Sequence, residues 1–309
     1  MNFSMRIAAA LSGLAATTAL LVACGGGTAQ LEAFIPDRVM VFGDEHSAFT
    51  ATGRKYSINA VATTGAIECE ASPLWIQSVA SVYGYKFAEC LGTATEAKAI
   101  TRAAAGAAVA EVKAQVDAQA SRGFNAKDLV LMLAGLHDIR QIYESRSPAD
   151  TEAQLIDRAR ARGIELGNQV NRVVALGPRV IVATMPDVGI TPYGLAKGAD
   201  AGLLTRLSAA FNGRLRVTIL NDGRFVGLVL ADEMLQSAVQ VPSAYGLVEV
   251  TKAACAVAAA LPNCDNAASF LVDGASSGTW LWADSLRFGV SAHAQLGNIA
   301  ATRARSNPF

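Results

Sequence analysis

Four continuous apolar runs punctuate the chain at wide intervals, and the stretches between them carry polar residues at helical spacing. The runs are Arg38-Val39-Met40-Val41-Phe42, Asp128 to Gly135, Arg179 to Thr184, and Phe225 to Leu230. Each is short, rich in valine, leucine or isoleucine, and bounded by turn-forming residues, the pattern of a strand buried on both faces. Gly43-Asp44 turns the first of them toward a helix. The alanine-rich stretch from Glu96 to Ser121 carries interspersed Lys, Glu, Asp and Gln and predicts a helix, with Gly106 as its weak point. Helices are also predicted from Thr151 to Ala175, from Leu203 to Leu220, and from Val290 to Arg303 at the end. In the second of these, Leu204, Leu207, Phe211 and Leu215 share one face. Strands alternating with helices argue for an α/β fold, a mostly parallel sheet covered on both sides. Ligand sites in such sheets lie at the carboxyl ends of the strands, which selects the loops after Phe42, Gly135, Thr184 and Leu230.

Composition narrows the function classes. With 309 residues, 52% of them hydrophobic and 17% charged, the chain can bury a large core. Its formal net charge is zero and no basic run stands out, so the electrostatic footprint of a nucleic-acid binder is missing. Arg6 precedes an uncharged stretch, Ile7 to Val22, that ends in Leu21-Val22-Ala23-Cys24. A cationic start, an apolar segment and small residues before a cysteine match a lipoprotein signal. The expected layout is a signal peptide over 1–23, a lipidated Cys24 with a flexible Gly25-Gly26-Gly27 linker over 24–36, and one domain over 37–309. Gly25, rather than aspartate, follows the lipidated residue, and the expected location is the outer membrane of the cell envelope, with the membrane itself as one partner.

Setting Cys24 aside leaves four cysteines in an oxidising compartment, an even number that predicts two disulfides. Pairing Cys69 with Cys90 and Cys255 with Cys264 closes two short local loops. The cysteine spacing has no zinc signature, and only His46, His137 and His293 are available as imidazole ligands, so no metal or cofactor is expected.

Three blocks of sequence resemble the GDSL/SGNH ester-hydrolase family. Val41-Phe42-Gly43-Asp44, followed by Glu45-His46-Ser47-Ala48, is similar to the block that places the family's nucleophilic serine after the first strand. Ala134-Gly135-Leu136-His137-Asp138-Ile139 resembles the Gly-x-Asn-Asp block. Trp282-Ala283-Asp284-Ser285-Leu286-Arg287 resembles the C-terminal Asp-x-x-His block. Looser features lie in the right order between these, among them Ser72-Pro73-Leu74-Trp75, Phe211-Asn212 and Tyr245-Gly246. The resemblance spans nearly the whole mature chain and implies a three-layer α/β/α sandwich whose relatives hydrolyse carboxylic esters through a serine acyl-enzyme.

At four signature positions the chain departs from that family. Glu45 stands where the nucleophile belongs, Ser72 where the oxyanion glycine is aligned, His137 for the oxyanion asparagine and Arg287 for the general-base histidine; Asp284 alone survives. A guanidinium stays protonated at physiological pH and cannot take a proton from a hydroxyl, while a carboxylate has no proton to lose. The expectation is a catalytically inactive domain that binds a small-molecule, acyl or glycan ligand or an envelope protein. In it Glu45 and Arg287 form an ion pair that Asp284 shares. The competing expectation is an ester hydrolase with a rebuilt site, in which Ser47, Ser72 or another hydroxyl is activated by His46 or His137. Ser47 lies two positions past the nucleophile site, and its hydroxyl is expected to point elsewhere; His293 is expected to be a packing or surface residue. A metal held by Glu45, His46, His137 and an aspartate is opposed by the Arg287 cation.

Overall fold

The computed structural model describes residues 33–92, 96–220 and 223–306, and the predicted signal segment with Cys24 lies outside them. From Phe34 onward the chain forms a three-layer α/β/α sandwich. Its central sheet has five parallel strands in the order β2-β1-β3-β4-β5. They are β1 (Arg38–Gly43), β2 (Ala99–Thr101), β3 (Asp128–Leu133), β4 (Arg179–Ala183) and β5 (Val226–Val229).

Alternation along the strands sorts side chains between the two layers. Val39, Val41, Leu129 and Leu131 pack on one face against α1 (Trp75–Ser81), α8 (Ala231–Gln240) and α9 (Val290–Arg305). Met40, Phe42, Val130 and Met132 pack on the other against α3 (Val109–Ala120), α4 (Leu136–Glu144), α5 (Glu152–Ala175) and α7 (Ala201–Thr218). Both strands are fully buried from their second residue on, which is why they read as continuous apolar runs rather than alternating ones. Two four-residue helices, α2 (Ala88–Leu91) and α6 (Pro192–Leu195), lie in the connections.

Local chemistry sets the longest helix. Thr151 caps α5, its hydroxyl accepting from the Gln154 amide at 3.3 Å while the Gln154 side chain accepts from the Thr151 amide at 2.8 Å. A smaller parallel pair, β6 (Glu249–Ala253) and β7 (Trp280–Trp282), stands beside the main sheet. It encloses a satellite core around Ile58, Trp280 and the Cys255–Cys264 disulfide. The second disulfide joins Cys69 to Cys90, so both expected pairings form.

Two expectations are corrected. The stretch from Glu96 to Ser121 is not one helix: Ala99–Thr101 is the edge strand β2, paired to Val39–Val41, and the helix starts only at Val109. Gly106, at φ +80°, sits in the turn between them. The Gly43-Asp44 turn leads not into a full helix but into a single 3-10 turn, Glu45–Ser47, after which a long irregular segment runs to α1.

Candidate functional site

The site forms where β1 and β3 end side by side, since their register pairs Gly43 with Leu133. Gly43 has φ +148°, and a Cβ there would lie 2.1 Å from the Leu133 carbonyl oxygen, so only glycine lets the two strand ends approach this closely. Gln115 of α3 fixes the turn by accepting from the Gly43 amide at 2.8 Å and donating to its carbonyl at 3.0 Å. Beyond the turn, Asp44 accepts from the backbone amide of His46 at 3.0 Å and points Glu45 inward. After β3, Gly135 takes φ +122° and starts α4, which places His137 in the helix's first turn.

Glu45 is completely buried, and both of its carboxylate oxygens are engaged. One oxygen, Oε2, meets His137 Nε2 at 2.7 Å and accepts from the Gly106 amide at 2.9 Å. The other, Oε1, accepts from Arg287 Nε at 2.7 Å. Arg287 in turn donates to Asp284 Oδ2 at 2.9 Å, and Asp284 Oδ1 accepts from the Leu286 and Arg287 amides at 2.8 and 2.7 Å. That turn presents the guanidinium to Glu45. Burial by itself would raise the Glu45 carboxyl, but the His137 hydrogen bond and the charges of His46, His137 and Arg287 outweigh it and hold the group well below the usual carboxylate range. Glu45 is therefore a buried anion held by three hydrogen bonds, two on Oε2 and one on Oε1.

His137 lies between this carboxylate and a cleft of about 530 Å³, lined by Gly106, Glu111, His137, Arg140, Gln141 and Glu144 among others. A neutral His137 that donates through Nε2 to Glu45 keeps Nδ1 as a proton acceptor. The cleft wall is polar and of mixed charge, with Arg140 and Glu144 paired at 3.4 Å. Ser145 is the hydroxyl of that wall, but it stands eight residues from His137 along α4 and its cap, about 12 Å at the helical rise. Among the described residues that line the cleft, no side-chain hydroxyl therefore lies within reach of the His137 imidazole.

Other expected positions fall outside this cluster. Ser72 has φ +49° and gives its carbonyl to the buried Lys55 ammonium at 2.9 Å; among the described residues no hydrogen bond ties it to Glu45 or His137. Ser47 is buried and its hydroxyl accepts from Trp75 Nε1 at 3.0 Å, so it is not aimed at the cleft. His46 bonds Asp44 through Nδ1 at 2.9 Å, and His293 is a buried residue of α9. Among the described residues no group of three or more His, Cys, Asp and Glu side chains is placed to hold a metal ion.

Sequence reasoning missed Gly106, Gln115 and Lys55. Gly106 acts through its backbone amide, which leaves no side-chain signature, and Gln115 and Lys55 bind backbone groups that no sequence pattern marks. The glycine within an alanine-rich stretch is the one signal that pointed to a special backbone position.

No family model matches the chain, and no curated protein matches it. Among solved structures, the chain is similar to a catalytic mutant of an acetylxylan esterase from Geobacillus stearothermophilus, at 14% identity and TM-score 0.49, over 87% of this chain and 94% of that one. It is also similar to an alpha/beta hydrolase enzyme from the metagenome of Lake Arreo, Spain, at 14% identity and TM-score 0.44, covering 87% and 94%. A lipase/acylhydrolase from Enterococcus faecalis overlaps at 12% identity and TM-score 0.40, covering 86% and 93%. The architecture is the one the GDSL/SGNH resemblance implies, a three-layer α/β/α sandwich on a parallel sheet, and the strand order and helix layers of this chain establish it.

Proposed function

We propose that the chain is a cell-envelope protein, tethered to the outer membrane through a lipid on Cys24, whose domain binds a ligand in the cleft beside His137 without serine acyl transfer. The observation that carries the reading is the engagement of both Glu45 oxygens by Arg287, His137 and Gly106. Where an acyl-transfer site needs a hydroxyl, a base to deprotonate it and open donors for the developing oxyanion, this chain has a buried anion whose donors are spent. The polar, mixed-charge wall of the cleft suits a small polar molecule, an acylated or glycan ligand, or a polar segment of another envelope protein.

Incubating the mature protein with a fluorophosphonate probe and assaying short-chain p-nitrophenyl esters tests the catalytic half. No labelled serine and no turnover above buffer is the expected result; a single labelled serine with turnover ends the reading. Replacing Cys24 with alanine and fractionating membranes tests the tether, which predicts that the variant leaves the outer-membrane fraction.

One arrangement favours a second reading, ester hydrolysis in a rebuilt site. The Glu45–His137 contact is a carboxylate–imidazole pair facing a cleft, and such a pair can orient His137 to take a proton from water at Nδ1. Hydroxide would then attack an ester carbonyl directly, and the departing alcohol would take up the proton. Turnover that His137→Gln abolishes, without any covalent adduct, would select this reading over the first.

A further inference from the structure

His46 and His293 form a second polar cluster, distinct from the cleft. Both rings are buried, at 0% and 1% exposure, and their centroids lie 6.4 Å apart. Phe288 packs against both, 4.2 Å from His46 and 5.4 Å from His293. Each ring has one nitrogen committed. His46 Nδ1 lies 2.9 Å from Asp44 Oδ1, and His293 Nδ1 lies 3.4 Å from the backbone amide of Trp75, the first residue of α1. The two Nε2 atoms are buried and have no hydrogen-bond partner, and neither has Asp44 Oδ2.

These commitments fix the protons. A backbone amide can only donate, so His293 Nδ1 carries no hydrogen and the neutral ring bears its proton on Nε2. Asp44 accepts only, so His46 is protonated on Nδ1; its Nε2 is an acceptor when the ring is neutral and a donor when it is charged. The cluster thus offers one fixed donor, on His293, and one nitrogen of either sense, on His46.

The rings cannot satisfy each other. Taking about 1.2 Å from centroid to nitrogen in each ring, the two Nε2 atoms stay at least about 4 Å apart, beyond the roughly 3 Å of a direct N–H···N bond. An apolar filler would leave both nitrogens unsatisfied, and such groups are rare in folded interiors because a buried polar atom without a partner loses its hydration for nothing in return.

We infer that His46 and His293 together bind one buried water molecule between their Nε2 atoms. Water is the molecule that accepts from His293 and still serves His46 in either charge state, donating to the neutral ring or accepting from the charged one. A cation is refused by the His293 N–H and by Lys55, whose positive charge acts on the same ring. A halide would serve only the charged form of His46. Burial and the nearby Arg287 oppose that form, Asp44 and Glu45 outweigh them and raise the ring's pKa, and the same two carboxylates repel a halide. The water completes a chain from Asp44 through both imidazoles to the Trp75 amide. It joins the turn that carries Glu45 to the start of α1 and to α9, and does so whatever occupies the cleft.

A crystal structure of the mature protein at high resolution, with 15N-labelled histidine NMR on the same protein, tests this. Expected are a density peak within about 3.2 Å of both Nε2 atoms and a His293 spectrum of the Nε2–H form. In His293→Phe, which removes the donor while keeping an aromatic ring, the peak should be lost. A dry gap, either Nε2 bonded to a protein group, or a proton on His293 Nδ1 would overturn the inference. So would an anomalous peak at the same point after a bromide soak, which would assign the site to a halide.

Discussion

Arg287 Nε lies 2.7 Å from Oε1 of Glu45, a residue 242 positions earlier in the chain. This single contact joins the turn after β1 to the loop after β7, the two segments that carry opposite ends of the family resemblance. Glu45 is fully buried and Arg287 keeps 23% of its side chain in solvent, so the pair is desolvated mainly on the acidic side.

Removing one partner should therefore cost more than removing both. Arg287→Met leaves a buried carboxylate short of a donor and is expected to destabilise by about 2–3 kcal/mol, whereas Arg287→Met combined with Glu45→Gln should recover much of that loss. A double-mutant cycle by urea denaturation measures the coupling. Additive losses would show that the contact contributes nothing beyond its parts.

Acid should act on the fold through two carboxylates with opposite signs. Glu45 is held below its ordinary value, so its contribution is complete above the unfolded value of 4.5 and is lost as pH falls below that. Asp138 behaves oppositely: burial pushes it up to about 6 from 3.8, against the Val109 amide and Arg162, which pull it down. Its contribution is complete below 3.8 and is lost as pH rises through about 6. Asp138→Asn keeps an acceptor for the Val109 amide, now 3.0 Å from Oδ2, and should be the more stable protein at pH 8 by about 1–2 kcal/mol. Denaturation at pH 8 and pH 4 checks this, since the advantage should vanish on acidification.

Ser72 should gain from becoming glycine. Its φ of +49° lies in the left-handed region, where a Cβ is strained. Ser72→Gly is expected to raise stability by up to about 1 kcal/mol, the relief of strain exceeding the added freedom of the unfolded chain. A lower midpoint in urea would mean that the serine side chain contributes more than the strain costs.

The two disulfides should differ in what they contribute. Cys69–Cys90 spans 21 residues and Cys255–Cys264 spans 9. Loop-closure entropy predicts a loss of roughly 3 kcal/mol when Cys69 and Cys90 are both replaced by alanine, and somewhat less for the shorter loop. Thiol titration of the denatured, unreduced mature domain lacking Cys24 should find no free thiol, and calorimetry of the two paired variants ranks them.

Most of the sheet was legible because fully buried parallel strands leave unbroken apolar runs, as at Val39–Phe42 and Leu129–Leu133. The strand β2 was not. It has three residues, stands at the sheet edge, and is embedded in alanine and charged residues whose propensity favours a helix. In the site, Glu45, Asp284 and Arg287 were legible as charges of opposite sign in matching blocks, and the structure joins them. The role of His137 as a link between Glu45 and a cleft was hidden, because it depends on the register of Gly43 with Leu133. Ser72 could be aligned but not located, since the segment from Ala48 to Leu74 has little regular structure to guide it.

Gln115 grips both polar groups of Gly43, and Gly43 slides beneath the Leu133 carbonyl. Neither hold involves the side chain at position 45. The platform that delivers that residue is thus insulated from its chemistry, so a serine, a glutamate or another occupant inherits the same perch, and a lineage can change what stands there without first redesigning the scaffold beneath it.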